Sequence, residues 1–135
     1  MHTPATTPAA AHATRTYPGT AEQISAVRAD LRGLLAGCPV ADDIILCASE
    51  LAANAALHSR SRAPGAYFTV RAEIHPGDYA WIEVEDNGGS WPKATPGPSR
   101  GHGLDIIRAL ASDWGIDGDR RSRVVWARID WPGRV

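Results

Sequence analysis

Hydrophobic and polar positions change their repeat several times along the chain, and each change marks an element. From Thr20 onward, Ile24, Val27, Leu31, Leu34 and Leu35 recur at three- and four-residue spacing, the repeat of one helix face. Thr20 and Gln23 stand at capping-box spacing, which predicts that this helix starts at Thr20. Gly37 and Pro39 predict its end. A second helical repeat runs from Asp42 to His58, with Ile44, Ile45, Ala48, Leu51, Ala52 and Ala55 as its buried stripe. Asp42 and Asp43 favour its first turn through the helix dipole, and its alanines allow close approach to a sheet.

The repeat then shortens to two. Phe68, Val70, Ala72 and Ile74 alternate with Tyr67, Thr69, Arg71 and Glu73, predicting a strand over Ala66 to Ile74. A second strand follows over Tyr79 to Glu85, with Ile82 and Val84 facing one way and Trp81, Glu83 and Glu85 the other. Pro76-Gly77-Asp78 between them predicts a hairpin turn. Asp86 to Gly103 is rich in glycine and proline and reads as a long loop, of the kind that serves as a functional lid or stays disordered. Leu104 to Leu110 reads as a short helix, and Trp114 to Ile116 and Val124 to Trp131 as strands. In the polar turn between those strands, Arg120, Arg121 and Arg123 read as a solvated positive hairpin. At the other end, Thr14 to Tyr17 reads as a short edge strand closed by Pro18-Gly19, and residues 1–13 as a disordered tail. Residues 14–135 then form one domain, a length that suits a single core.

Composition narrows the classes. Apolar residues make up 44% and charged residues 21%, an ordinary globular balance. A net charge of −1 with no basic block argues against nucleic-acid binding. No stretch has the apolar length to cross a membrane and no signal-peptide core opens the chain, so a cytoplasmic protein is expected. Cys38 and Cys47 have neither zinc-site nor redox spacing and read as buried free thiols.

Three clusters carry chemistry. On the second helix, Glu50, Asn54 and His58 follow one another at four-residue steps, about 6 Å apart on one face. An amide oxygen suits Mg²⁺, and a carboxylate one turn away suits proton transfer from a hydroxyl. At the end of the second hairpin strand stands Asp86-Asn87-Gly88-Gly89, where a carboxylate can accept a hydrogen bond from an adenine amino group and a glycine lets the backbone approach the base. Arg100-Gly101-His102-Gly103-Leu104 is a glycine-rich loop opening a helix, where backbone N–H groups bind phosphate. Taken singly, each has a plain alternative: a solvated helix face, a turn, a flexible linker.

Together, in this order and separation, they resemble the GHKL (Bergerat-fold) ATPases, over roughly residues 14 to 133. Glu50 and Asn54 match the N box of that family, Asp86 and Gly88 the G1 box, and Gly101 to Leu104 the G2 box. The helix phrase from Glu50 to Ser59 and the closing segment Val125 to Pro132 look like the compact anti-sigma-factor serine/threonine kinase branch, with a histidine-kinase-like ATP-binding domain. The resemblance implies an α/β two-layer sandwich, with helices on one face of a mixed, mainly antiparallel sheet. It implies ATP and Mg²⁺ as ligands, Glu50 as general base toward a serine hydroxyl, and Asn54 as the Mg²⁺ ligand. Asp86 and Gly88 would hold adenine; Arg100, Gly101, His102, Gly103 and Leu104 would hold the phosphates. The partners implied are a sigma factor and an anti-anti-sigma protein of the STAS type, and a homodimer is compatible with the family. Two departures stand out: Ser90 replaces the second glycine of a full DxGxG, and Ser122-Arg123-Val124 stands where the family places a threonine near adenine. They support an alternative, a non-catalytic nucleotide-gated protein-binding module.

Overall fold

A computed structural model of the chain describes residues 11–58, 65–88, 104–119 and 121–133, and of Leu57 and His58 the backbone alone. The elements follow in the order β1 (Ala11–Pro18), α1 (Gln23–Leu34), α2 (Ala41–His58), β2 (Tyr67–His75), β3 (Tyr79–Asp86), α3 (Leu104–Leu110), β4 (Asp113–Gly118) and β5 (Arg123–Asp130). The strands form one sheet in the order β1-β2-β3-β5-β4. All four pairings are antiparallel, so the expected mixed sheet is corrected to an antiparallel one. The reason lies in the return path. The chain leaving β3 reaches β4 through α3, and β5 then folds back between them, so β3 and β4, which run the same way, are not neighbours.

The helices cover one face. From α2, Ile44, Ala48, Leu51, Ala52 and Ala55 are buried, as the spacing predicts, and α2 packs chiefly on β3. Each fully buried Leu, Ile or Phe contributes roughly 1.5–3 kcal/mol. On the sheet, Phe68, Val70, Ala72 and Ile74 of β2, Ala80, Ile82 and Val84 of β3, and Val125, Ala127 and Ile129 of β5 complete the core. Tyr17 stacks on Phe68 at 5.5 Å and donates its hydroxyl to Asp30 at 2.7 Å, tying β1 to α1. Burial, with that hydrogen bond second, pushes the Tyr17 hydroxyl pKa well above its ordinary value. Cys47 is buried and its thiol is pushed up to about 12 by burial, with Asp43 and Glu50 adding to the effect. Cys38 is half-buried, and both thiols are free.

Two boundaries differ from the sequence expectation. β1 begins at Ala11, so the last three residues assigned to a tail are strand, in register from Ala11 opposite Ile74 to Pro18 opposite Tyr67. The edge of the nine-residue β2 sets that length, and the composition of residues 11–13 carries no sign of it. The capping box does not form. Thr20 to Glu22 make a turn instead, with Gln23 N donating to Thr20 O, and α1 starts at Gln23 with no side-chain cap. Gly37 at φ 82° ends the turn that follows α1, as its position predicts.

The open face of the sheet is paired rather than apolar. Arg71 bridges Glu83 at 3.0 Å and Glu85 at 2.6 Å, and Ser122 Oγ donates to Glu85 at 2.7 Å. Trp81 stacks on Trp126 at 4.7 Å and donates to Glu83. Gly115 lies beneath the Trp126 ring, where a Cβ would come within 2.8 Å of ring atoms.

The hydrogen bond from Ser122, then Arg71, lowers the Glu85 pKa below its ordinary value. Because the folded value is the lower one, this carboxylate stabilises the fold above the ordinary glutamate range, and that contribution is lost as pH falls through the folded value. Glu85 is a third exposed, so the effect is about 1 kcal/mol or less. Urea titrations should find Glu85→Gln less stable than wild type near pH 6, with the gap closing toward pH 3; a gap constant with pH would contradict this account.

Candidate nucleotide-binding site

The middle of α2 presents two of the predicted groups. Asn54 is 2% exposed, so its amide does not lie on a solvated helix face. Its stripe neighbours Leu51 and Ala55 lie in the core, and an amide buried there is held by hydrogen bonding. Glu50, one turn earlier, is half-buried, close enough to Cys47 to raise its thiol pKa. Burial thus grades along this face, from a carboxylate open to water to an amide closed from it.

The end of β3 supplies the third group. Asp86 is 2% exposed, and parity with Ile82 and Val84 turns it to the helix side of the sheet. Two residues on, Gly88 adopts φ 72°, a conformation that favours glycine, and its N–H donates to Asp86 Oδ1 at 2.6 Å. The Asp-Asn-Gly segment is therefore a turn, but one that closes on the carboxylate of its own first residue. That bond and the burial fix the orientation of the carboxyl group at the rim of the sheet.

The fourth group was not singled out from sequence. Arg123 opens β5 directly opposite Asp86. Val125, Ala127 and Ile129 face the helices, so two-residue parity turns Arg123 the same way, and it is half-buried. Burial lowers the Arg123 pKa, while the Asp86 charge opposes that shift. The expected solvated hairpin is thus corrected at Arg123, which belongs to β5 and not to the turn; Arg120 lies outside the described residues. The described residues of the turn, Asp119, Arg121 and Ser122, are tied together. Asp119 Oδ1 accepts from the N–H groups of Arg121 and Ser122, and Asp119 N–H donates to Ser122 O. Gly118 sits at φ 103° against the Ser122 carbonyl, where a Cβ would collide with backbone. Ser122, the only hydroxyl near the position of the family's threonine, faces Glu85 on the open side. Period-two alternation carried back from Ile129 was the signal that could have found Arg123.

Arg100, Gly101, His102 and Gly103 lie outside the described residues, as do Ser90, Trp91 and the side chain of His58; Leu104 opens α3 and is half-buried against the core. α3 packs on α2 and β4, and so brings the end of the glycine-rich segment to the layer that holds Asn54. Among the described residues no cluster of three His, Cys, Asp or Glu could cage a metal ion. The donor set nonetheless fits Mg²⁺, which is held by one or two protein oxygens and takes the rest from phosphates and water. A separate groove of about 520 Å³ between β1 and α1, floored by Ala13, Leu31, Leu34 and Val70, shares none of these groups. No helix among the described residues is long and apolar enough to cross a membrane.

Residues 17–129 match the family described as histidine kinase-like ATPase domain. No curated protein matches the chain in sequence. The structure is similar to the crystal structure of the RsbU and RsbW domains of Rv1364c from Mycobacterium tuberculosis, with a TM-score of 0.71 and 24% identity over 91% of this chain. The chain spans 34% of that one, and the likeness is one of fold. With the family match running over most of its length, the chain belongs to the histidine kinase-like ATPase domain family.

Proposed function

We propose that the chain is an ATP- and Mg²⁺-dependent regulatory protein, an anti-sigma factor that phosphorylates a serine of an anti-anti-sigma antagonist. The observation that carries this reading is the burial of Asn54 and Asp86 from two elements packed on each other, α2 and β3. Asp86 accepts the adenine amino group, and the turn at Gly88 brings backbone against the base. Asn54 is the protein oxygen for Mg²⁺, which when bound neutralises phosphate charge. Gly101 and Gly103, with Arg100, His102 and Leu104, receive the phosphates at the start of α3. Glu50, open to water one turn from Asn54, takes the proton of the attacking serine hydroxyl. Transfer rests on positioning and electrostatic stabilisation. A sigma factor would be held in one nucleotide state and released when the STAS-type antagonist competes. Such partner exchange belongs to the cytoplasm.

One observation favours a second reading, a nucleotide-gated binding module without turnover. The Ser122 hydroxyl is committed to Glu85 on the open face, and Val124, beside it, also turns outward. No hydroxyl from the start of β5 reaches the base side.

Mg-ATP at a hundredfold excess over Kd should stabilise the wild type by about 2.7 kcal/mol in thermal unfolding. Asp86→Ala should abolish this stabilisation and Asn54→Ala should remove its dependence on Mg²⁺; equal stabilisation in all three proteins would refute the assignment. With Mg-ATP and an antagonist protein, phosphate should appear on a serine, and Glu50→Gln should slow transfer about 10²–10⁴-fold while ATP still binds. Nucleotide-dependent partner binding with no transfer, and no change in Glu50→Gln, would select the second reading.

A further inference from the structure

We propose that Arg123 sets the base preference of this site, holding Asp86 as a charged acceptor so that a purine with a 6-amino group binds and one with a 6-carbonyl is refused. The inference rests on the nucleotide reading above and adds a residue that the three sequence motifs do not contain.

Asp86 and Arg123 are opposite one another at the end of β3 and the start of β5, in a series of inward pairs that runs Ala80 with Ile129, Ile82 with Ala127 and Val84 with Val125. Directly opposite residues in an antiparallel pair have their Cβ atoms about 5 Å apart, on one face. Three of the four inward pairs are apolar core, and the fourth, at the rim, is an acid with a base. Asp86 is almost wholly out of water. A carboxylate so placed takes up a proton rather than stay charged, unless a cation and hydrogen bonds compensate it. Gly88 N–H supplies one hydrogen bond and Arg123 is the cation across the strand. Arg123 is itself partly desolvated, with Asp86 the charge that compensates it.

The protonation state decides the base. A carboxylate accepts from the 6-amino group of adenine and repels the 6-carbonyl oxygen of hypoxanthine. A protonated carboxyl group donates to that carbonyl and loses the discrimination. Contacts beside the strand secure the cation: Asp119 accepts from the Arg121 and Ser122 N–H groups and Gly118 sits against the Ser122 carbonyl, so Arg123 enters β5 in fixed register. Arg123 is a positioning residue, acting on the base through Asp86.

The test is the affinity of ATP relative to inosine triphosphate, each with Mg²⁺, by calorimetric titration of the full chain. Wild type should favour ATP at least about tenfold. Arg123→Gln, which keeps length and polarity but not charge, should bring the ratio within about threefold of unity, and Arg123→Lys should keep it. A role in folding alone would weaken both nucleotides together and leave the ratio standing. Arg123→Gln with the wild-type ratio, or a larger one, overturns the role of Arg123 and leaves the nucleotide site intact. A wild type that binds neither nucleotide overturns the site itself and this inference with it.

Discussion

A buried carboxylate is the constraint around which this domain is arranged. Asp86 sits at the end of β3 with almost no access to water, where an uncompensated charge would cost several kcal/mol. Two features answer that cost. Gly88 turns its N–H back onto the carboxylate through a left-handed conformation, and the β3–β5 register sets Arg123 opposite. Neither helps without the other elements in place. The register depends on the close approach at the end of β4, where Gly118 alone among residue types fits against the Ser122 carbonyl. α2 then lies across β3 and closes the layer, burying Asn54 beside the core.

The two faces of the sheet divide the labour. The helix side carries the core, and at its rim the groups assigned to nucleotide. The open side carries a ladder, Ser122 to Glu85 to Arg71 to Glu83, ending on the Trp81–Trp126 stack. Ser122 and Arg123 are adjacent in sequence and point to opposite faces. The same turn therefore anchors the ladder with one residue and meets Asp86 with the next.

Sequence revealed those parts of the fold in which local pattern and tertiary packing agree. The apolar stripe of α2 and the strict alternation of β2 both emerged with the burial expected of them, since each follows from a repeat that only one element satisfies. It failed where a partner strand decides. Ala11 to Ala13 look like tail until the edge of β2 pairs with them, and Thr20 with Gln23 has the spacing of a cap that the turn after β1 overrides. An antiparallel sheet was half legible: the hairpin was visible, but the insertion of β5 between β3 and β4 is a property of the chain path. In the site, Asn54 and Asp86 could be named from motifs because their residue types suit the chemistry. Their burial could not be, and burial is what separates an amide or carboxylate with a task from one on a wet surface. Arg123 was hidden among neighbouring arginines of a turn, and only its strand parity distinguishes it.

The central claim is that one magnesium nucleotide site spans α2, the end of β3 and the start of α3. Titrating isotope-labelled protein with Mg²⁺ and a non-hydrolysable ATP analogue, and following amide resonances by NMR, tests it most directly. The account predicts that the largest shifts fall on the Gly88 backbone amide, the Asn54 side-chain amide and the Leu104 amide at the head of α3, and that they saturate together. Shifts that leave those three unchanged, or that gather along the groove between β1 and α1, would contradict it.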